Sequence, residues 1–473
     1  MGGPRKRITQ DTFDEAVQEN MEEFDMEAAE AVKSAVEEFE LQGIDLTGII
    51  KSATGGNVAG HPVARAVEDL AARLDAQAGS SCAAGGSGVQ EALAALQAAV
   101  THTDKQEAAQ ALAVAAKAGA AAQLVRCYAS QPDAATLVAS LNTLAATLPA
   151  YDNKEAFLEA RGVEELCSIL ERHGGNSNVV GAAATVASTA ASGHEENKCR
   201  CIDAGLADRL VAAVKEGSAS AAAIQAICAA IRSFTTADDE RPAASRAFQN
   251  ARTLAKGGAA LALLEVLQRQ RAEPPELAAA VCSATKRLAA NEEICKEFAE
   301  AGGVHTCMQV LRDGMHNAAL VRSACSLLRQ LANSDSIKES IVEDGGLDLL
   351  KRCVGTHSGS APTVEQALGL LAALTLRNPA NAERAAEAGC VDAVIEVMGL
   401  MGSNKNAQSV QWVQRQACMS IRNIVARNPG LRPVVLEKGA EQMLRKVKTQ
   451  YPQACQDVGS AALRDLGFDD YNS

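Results

Sequence analysis

Four basic side chains recur at corresponding positions of a repeated sequence pattern, and their types suit the binding of a charged partner. They are Arg232, Lys286, Arg329 and Arg422, while a further copy of the pattern has Ala372 there. Guanidinium and ammonium groups bind carboxylates through charge-assisted hydrogen bonds. On stacked helices, such a row would suit an acidic or amphipathic segment lying across the repeats. Equally open is a structural role, in which each base pairs with a carboxylate of its own or the next repeat.

The rest of the sequence offers little for catalysis or for holding a cofactor. It lacks the glycine-rich phosphate-binding loop, the serine-nucleophile elbow, the zinc-binding His-Glu-x-x-His pattern and the dinucleotide-binding fingerprint. The seven histidines are isolated from one another, mostly in loops or linker segments. Cys199 and Cys201 form one close pair, which without a second pair is a weak indication of zinc. We therefore predict no enzyme activity, no cofactor and no metal site.

The cysteines, 14 in all, have the placement of packing residues. Cys228, Cys282, Cys325 and Cys418 occupy the same point in four repeats. Free cysteine packs as a small hydrophobic side chain. Recurrence at one helical position therefore predicts a buried packing slot in the core.

A short glycine signature recurs eight times and defines the elements that must position these residues. The first glycines of the copies are Gly119, Gly162, Gly205, Gly257, Gly302, Gly345, Gly389 and Gly439. They are 43, 43, 52, 45, 43, 44 and 50 residues apart. Such a period is typical of HEAT and armadillo repeats, which run about 40–47 residues. The sequence therefore predicts a solenoid that grows by adding like units.

Each repeat is predicted to contain three helices. A short helix precedes the glycine, a second follows the sharp turn that glycine permits, and a longer third helix comes after a loop. Third helices are predicted over residues 275–290, 318–332, 364–376 and 409–426. Asparagine follows each of them, at positions 291, 333, 378 and 428, as a helix terminator or N-cap. Three helices with glycine between the first two favour armadillo over two-helix HEAT repeats. We predict an all-α, right-handed armadillo solenoid of about eight repeats.

Charge is distributed unevenly along the chain. The net charge is −13 over 473 residues, but residues 1–50 alone hold 13 acidic and four basic side chains. The remainder is nearly neutral and lacks the basic footprint of a nucleic-acid binder. The N-terminus lacks the apolar segment of a signal peptide, and the most apolar stretch, residues 259–267, is too short to span a bilayer. We expect a soluble protein of the cytoplasm or nucleus.

Three regions are predicted along the chain. Residues 1–51 would be an acidic N-terminal helical segment. Residues 52–88, rich in Gly, Ala and Ser, would be a flexible linker with a short helix over residues 63–74. Residues 89–473 would be the solenoid.

The acidic N-terminal segment is predicted to contain one amphipathic helix over residues 10–40. Thr12 and Glu15 offer a capping box at its start. One apolar face would be lined, at helical spacing, by Phe13, Val17, Met21 and Phe24. The helix could cap the first repeat, whose apolar face would otherwise be exposed. It could instead occupy the basic groove, in the same chain or in a dimer, because the two are complementary in charge.

Three segments resemble one particular family, the armadillo repeat-containing protein 6 family. They are residues 6–17 (KRITQDTFDEAV) continuing to 43–46 (GIDL), residues 416–426 (QACMSIRNIVA) and residues 461–467 (AALRDLG). The first and last are not general armadillo features, and with the repeat spacing they extend the resemblance over most of the chain. The resemblance implies an interaction protein without naming its partner.

Armadillo nuclear-import receptors bind basic peptides through Trp and Asn side chains of their third helices, and this chain largely lacks that ladder. Its Asn positions hold Ser233, Arg287, Gln330, Ala373 and Asn423. Its Trp positions hold Ala229, Ser283, Ser326, Gly369 and Met419. Binding of basic peptides in that manner is therefore disfavoured. Arg287, Gln330 and Asn423 join the four bases as candidate groove residues.

Two functions remain as hypotheses. The leading one is a non-enzymatic scaffold or adaptor that binds acidic or amphipathic protein segments along the concave armadillo groove, with no nucleic acid and no membrane. The alternative is a structural component of a larger assembly such as a ciliary axoneme, where other armadillo proteins serve. A filament component would remain in the pellet on detergent extraction, whereas an adaptor would be soluble.

Overall fold

A computed structural model describes residues 8–44, 46, 48–51, 58, 60–78, 86–130, 132–270, 274–402 and 408–472. Across these residues the regular structure is helical, with 28 α-helices, one short 3₁₀ helix and no strand. The predicted all-α class is confirmed. The chain forms two compact units, residues 1–250 and 251–473.

The N-terminal segment contains two helices, so the prediction of a single helix over residues 10–40 is wrong. They are α1 (Gln10–Glu23) and α2 (Ala28–Leu41). The helical structure is interrupted between them, where Asp25 adopts a left-handed conformation with φ 52°. Helix α1 begins at Gln10 as predicted, but the capping box expected at Thr12 and Glu15 is wrong. The N-cap is Thr9, whose side-chain oxygen accepts a hydrogen bond from the Thr12 amide at 3.2 Å.

The helices α1 and α2 close a small core of their own. Its buried members are Phe13, Val17, Ala31, Ala35, Phe39, Leu46 and Ile49. The Phe13 and Phe39 ring centroids are 6.1 Å apart. Gln10 joins the end of the segment to its start, since its side chain bonds both the carbonyl and the amide of Ile50, at 3.0 and 2.7 Å. The Lys51 amide in turn donates to Gln110 at 3.1 Å.

The remaining helices of the first unit form a helix pair followed by three complete repeats. The pair is α3 (Pro62–Ala78) and α4 (Gly86–Val100). The repeats comprise α5 (Lys105–Lys117), α6 (Ala120–Ala129), α7 (Ala134–Thr147), α8 (Tyr151–Glu159), α9 (Gly162–His173), α10 (Ser177–Ala191), α11 (Glu195–Asp203), α12 (Leu206–Lys215) and α13 (Ala221–Phe234). Helix α3 packs against α4, α5 and α6, while most of the rest of the predicted linker lies outside the described residues.

The second unit continues the same three-helix pattern. Helix α14 (Ala247–Lys256) spans the division between the units. It is followed by α15 (Ala259–Gln270), α16 (Pro275–Leu288), α17 (Glu292–Glu300), α18 (Gly303–Asp313), α19 (Ala318–Leu331), α20 (Asp335–Glu343), α21 (Gly346–Thr356), α22 (Ala361–Thr375), α23 (Pro379–Glu387), α24 (Cys390–Gly402), α25 (Gln408–Val425), α26 (Arg432–Glu437), α27 (Ala440–Gln450) and α28 (Pro452–Leu466). The 50-residue interval between Gly389 and Gly439 predicts an exposed loop over residues 402–406, which lie almost entirely outside the described residues.

The third helices of successive repeats pack on one another in series. In the first unit these are α4, α7, α10 and α13, and in the second α16, α19, α22, α25 and α28. Second helices stack in the same way, as α9 does on α6 and α24 on α21. Each unit is thus built from layers that bury their apolar faces against the next layer.

The glycine signature places one left-handed residue between the first and second helices. Six of the eight first glycines have positive φ: Gly119, Gly205, Gly302, Gly345, Gly389 and Gly439. In the second copy the left-handed residue is Arg161 instead, with φ 58°. Gly162 is needed there for space, because a Cβ atom on it would overlap the Phe157 ring. In the fourth copy Gly258 takes the left-handed position in place of Gly257.

Asparagine caps confirm two of the predicted boundaries. The side chains of Asn291 and Asn378 accept hydrogen bonds from the third backbone amide beyond them, each at 3.0 Å. At Asn333 only the N-cap alternative is wrong, because Ser334 caps helix α20 instead, and Asn333 directly follows the C-cap of α19.

Buried lysines of the first helices, which sequence reasoning missed, bind the ends of the third helices of their own repeats. Lys198 donates to the Thr236 carbonyl at 2.7 Å, and Lys338 donates to the Leu376 carbonyl at 3.0 Å. Lys154 bonds the Ser192 carbonyl in the same way. The last carbonyls of a helix lack partners within the helix and carry negative partial charge. Each lysine therefore both satisfies a helix end and ties the first helix of a repeat to the third.

The recurrent cysteines occupy the core, as predicted. Cys228, Cys282, Cys325 and Cys418 are fully buried, and no disulfide joins cysteines of the described residues. Burial raises the pKa of the Cys282 thiol to about 12. The group is therefore neutral and packs as an apolar side chain.

Apolar helices in this structure are short. Within the described ranges, no single helix is both long and apolar enough to cross a membrane. Helices α5 and α6 meet the length and composition requirements only as a pair, bent by 66°.

Candidate protein-binding surface

Helices α16 and α19 bring three of the predicted groove residues together in the second unit. Lys286 and Arg329 are half-buried and Arg287 is exposed. These three side chains form what we call the cationic patch. Arg322, which the sequence analysis missed, is exposed two turns before Arg329 on α19. Residues seven apart lie on the same helix face, so this charge extends the patch along α19.

The cationic patch lacks an internal counter-ion. Burial, followed by repulsion from Arg287 and Arg329, lowers the pKa of Lys286 below its ordinary value of 10.5. Among the described residues, no carboxylate oxygen lies within ion-pairing distance of a nitrogen of these three side chains. A partly desolvated cation without a partner is costly. The patch is therefore electrostatically incomplete, and a carboxylate from outside would relieve it.

Arg329 lies across the next third helix. A Cβ atom added to Gly369 of α22 would sit 2.5 Å from Nη1 of Arg329, so the absent side chain makes room for the guanidinium. Glu365, one turn earlier on α22, is half-buried, and burial raises the pKa of its carboxyl while the Arg329 charge opposes that rise. The two charges attract one another without forming an ion pair.

Two predicted groove residues, Gln330 and Asn423, have structural hydrogen bonds. The Gln330 amide donates to the Ala289 carbonyl at 2.8 Å, and the Asn423 amide donates to the Ala372 carbonyl, also at 2.8 Å. Both acceptors lie at the end of the preceding third helix. These amides therefore satisfy helix ends and link neighbouring layers.

Arg422 shows the second interpretation that the sequence left open, pairing with the next repeat. Its Nε donates to Asp465 of α28 at 3.1 Å. Arg415, two turns earlier on α25, forms a bidentate pair with Asp457 of α28, at 2.7 and 2.9 Å. Helix α25 is thus tied to its neighbour by two ion pairs, unlike α16 and α19.

Arg232 belongs to the first unit, at the end of α13. Its side chain is exposed, and no ion pair to another described residue involves it. Its role as a binding residue stays a prediction, and it is not a member of the cationic patch, which lies in the second unit.

The four apolar residues predicted for a partner-binding helix divide into two pairs. Phe13 and Val17 are buried inside the α1–α2 core. Met21 and Phe24 are exposed, with 36% and 62% of their surface accessible. Only the second pair is available for a contact in this conformation.

A polar network in the first unit was missed, because its members come from three repeats. His194 is buried, hydrogen-bonded to Glu155 at 3.0 Å and stacked on Tyr151 with ring centroids 4.9 Å apart. The Arg241 guanidinium covers the other side of the network, 3.4 Å from the Tyr151 ring centroid. Burial lowers the pKa of His194. The segment 238–246, part of the 52-residue interval between Gly205 and Gly257, is therefore anchored onto α8 and α11.

Most of the histidines lie outside the helices, as predicted, although His173 and His305 lie within α9 and α18. His194 caps α11, and the buried His357 bonds the Met315 carbonyl at 2.7 Å. Both serve helix ends. In the described part of the chain, no three His, Cys, Asp or Glu side chains form a group that could hold a metal ion.

Comparison with protein families gives two matches that cover most of the chain. Residues 5–75 match the armadillo repeat-containing protein 6 N-terminal domain, and residues 76–470 match the ARMC6 family. The boundary between these matches falls within helix α3.

Individual proteins agree with this assignment. Armadillo repeat-containing protein 6 of Pongo abelii and that of Homo sapiens are each 30% identical over 315 residues, 65% of this chain and 60% of theirs. The Drosophila melanogaster homolog is 27% identical over 394 residues, 79% of this chain and 78% of its own. A crystal structure of an engineered protein shares the fold with a TM-score of 0.61 and 17% identity, covering 98% of this chain and all of that one. The chain belongs to the armadillo repeat-containing protein 6 family and has the armadillo-repeat solenoid fold.

Proposed function

We propose that this chain is a protein-interaction scaffold that binds an acidic segment of a partner at the cationic patch. Armadillo-type solenoids present extended surfaces for binding rather than enclosed catalytic sites. The observation that carries the proposal is Lys286, a half-buried cation whose neighbours are two more cations and no paired carboxylate. The bound segment would cross α16 and α19.

The energetic argument follows from what binding changes. A free surface lysine or arginine loses water when it meets a carboxylate, and that cost cancels much of the attraction. Lys286 is already partly desolvated in the unbound chain. An incoming carboxylate therefore gains more from it than from an exposed base. Arg287 and Arg329 add bidentate donors beside it.

The basic side chains of α25 are not part of the cationic patch, because they are already paired. Arg415 and Arg422 are occupied by Asp457 and Asp465. A partner carboxylate would meet side chains whose charge these aspartates already neutralise in part, so its electrostatic gain would be smaller than at Lys286. The proposed contact therefore uses the second-unit bases whose charge the neighbouring repeat leaves unpaired.

The test is the binding of a fluorescent glutamate-rich peptide to the full chain, measured by anisotropy against a glutamine-rich peptide of equal length. The double variant Lys286→Glu/Arg329→Glu should bind the glutamate peptide at least 100-fold more weakly, because electrostatic attraction becomes repulsion. Arg352→Glu, an exposed arginine on α21, is the matched control and should change affinity less than threefold. Equal losses in both variants, or equal binding of both peptides, would disprove the proposal.

A further inference from the structure

A cavity of about 290 Å³ lies where the third helices α22 and α25 end. Three arginines line it: Arg377, Arg422 and Arg427. The other lining side chains are uncharged, with no Asp or Glu among them. We call these three arginines and the space between them the arginine pocket.

The guanidinium groups of the arginine pocket have donors to spare. Arg422 uses only its Nε for Asp465, at 3.1 Å, and Asp465 is shared with Arg464, whose Nη2 is 3.0 Å away. Arg377 and Arg427 are exposed, and within the described structure their side chains have no ion pair or hydrogen bond. The arginine pocket thus has three cations, and the single carboxylate beside it, Asp465, neutralises only part of their charge.

The backbone holds Arg377 where a glycine would be easier. Its φ is 56°, in the left-handed region that side chains disfavour. The corresponding turn of the first unit, between α10 and α11, uses Gly193 with φ 61°. Non-glycine residues in this conformation concentrate at functional sites, where the surrounding structure holds them.

Arg377 and Arg427 belong to two copies of the same tripeptide. Arg-Asn-Pro occurs at residues 377–379 and again at 427–429, each time one residue beyond the end of a third helix. In both, the asparagine is fixed: Asn378 caps α23, and Asn428 donates to the Pro379 carbonyl at 2.7 Å. Fixed backbones on both sides of the cavity therefore place the two arginines.

We propose that the arginine pocket binds a phosphorylated serine or threonine of a protein segment. A phosphate group carries close to two negative charges and three acceptor oxygens. It can accept from several guanidinium forks at once, as arginine clusters in phosphopeptide-binding domains do. A carboxylate offers one charge and two oxygens and would leave donors of this pocket unsatisfied. Leu376, 46% exposed at the rim, gives an apolar contact for a residue beside the phosphorylated one.

This site goes beyond the proposed function, since it uses different residues from the cationic patch. The test exposes the full chain to an array of paired peptides, each present with phosphoserine or phosphothreonine and in unphosphorylated form. The pocket variant is Arg377→Gly/Arg427→Ala, in which glycine suits the left-handed turn, and the control is Arg352→Ala. Circular dichroism and thermal unfolding verify that each variant folds.

The chain and the control should favour the phosphorylated members at least tenfold, and the pocket variant should lose that preference. Inorganic phosphate should compete. Equal signals from both members of each pair, or a preference that survives in the pocket variant, would overturn the proposal. So would binding of single-stranded RNA, without phosphopeptide preference, that the pocket variant abolishes. Lys286→Glu/Arg329→Glu should keep the phosphate preference, which separates this site from the cationic patch.

Discussion

The third helices of the two units use the same layer of the repeat for different purposes. In the first unit, the partly accessible face of α10 carries small uncharged residues: Gly181, Thr185, Ser188 and Thr189. They allow close packing, since a Cβ on Gly181 would lie 3.4 Å from the Ala223 Cα of α13. Ser188 and Ser233 also bond across the two helices at 3.1 Å. This face of α10 therefore packs against the neighbouring third helix, α13.

In the second unit, the same layer carries long charged side chains. Lys286, Arg287 and Arg329 on α16 and α19 remain unpaired, while those of α25 are paired with α28. The difference shows that the repeat fold fixes only where a side chain emerges. Whether that side chain serves the next layer or a partner is decided by what the next layer offers opposite it.

The largest effect is expected from crowding the close contact in the first unit. Gly181→Val should lower the free energy of unfolding by about 2 kcal/mol, because its γ carbons would press into the Ala223 backbone. Gly181→Ala is the control and should be neutral or slightly stabilising, since a single Cβ makes ordinary contact and alanine favours helix. Urea unfolding measures both. A stable valine variant would mean that these helices are not closely packed in solution.

The corresponding change in the second unit should affect binding rather than folding. Gly369→Ala places a Cβ against the Arg329 guanidinium, which can swing aside. We expect the affinity for the glutamate peptide to fall about fivefold, roughly 1 kcal/mol. The free energy of unfolding should change by less than about 0.5 kcal/mol, as helix propensity offsets the displaced contact. A large loss of stability with unchanged binding would contradict this reading of Arg329.

Exchanging a turn residue between the units should give a smaller gain. Arg377→Gly copies Gly193 of the first unit and removes the left-handed arginine. The free energy of unfolding should rise by about 0.5–1 kcal/mol, from relief of backbone strain. Arg427→Ala, whose backbone φ is not positive, is the control and should be close to neutral. A loss of stability in Arg377→Gly would mean that the arginine side chain supports the fold.

The smallest effect is a pH dependence set by Lys286. Because its pKa lies below 10.5, it should lose its proton at a lower pH than an ordinary lysine, and glutamate-peptide affinity should fall there. The unbound chain should become more stable over the same range, since the unfolded state then binds more protons than the folded state. Lys286→Arg stays charged and should lack both changes. Identical titrations for the two chains would exclude Lys286 as the group.

Much of the fold could be predicted because glycine turns and core cysteines recur at a visible period. The left-handed turns and the buried slots at Cys282 and Cys325 depend on local backbone and repeat position alone. The break at Asp25 was missed, since no glycine or proline marks it. The left-handed conformation of Asp25 lets α2 pack back on α1, and this arrangement is stabilised by the core around Phe13. Such a tertiary contact cannot be recognised from local sequence.

The candidate site was predictable as a set of residues but not as a set of roles. Arg329 and Arg422 occupy the same repeat position. Only one has a carboxylate, Asp465, opposite it in the following layer. That pairing depends on side-chain geometry across 43 residues of chain, which one sequence does not reveal. The repeated Arg-Asn-Pro was a visible signal for the arginine pocket, and it gained meaning once both copies were seen to line one cavity.

The central claim is that an acidic partner segment lies on α16 and α19. The most direct measurement is photo-crosslinking of the full chain with a glutamate-rich peptide that carries a benzophenone group, followed by mass spectrometric mapping. We predict adducts concentrated in residues 275–288 and 318–331, lost in Lys286→Glu/Arg329→Glu and retained in Arg352→Glu. Adducts spread over both units, or concentrated on the third helices of the first unit, would contradict the account.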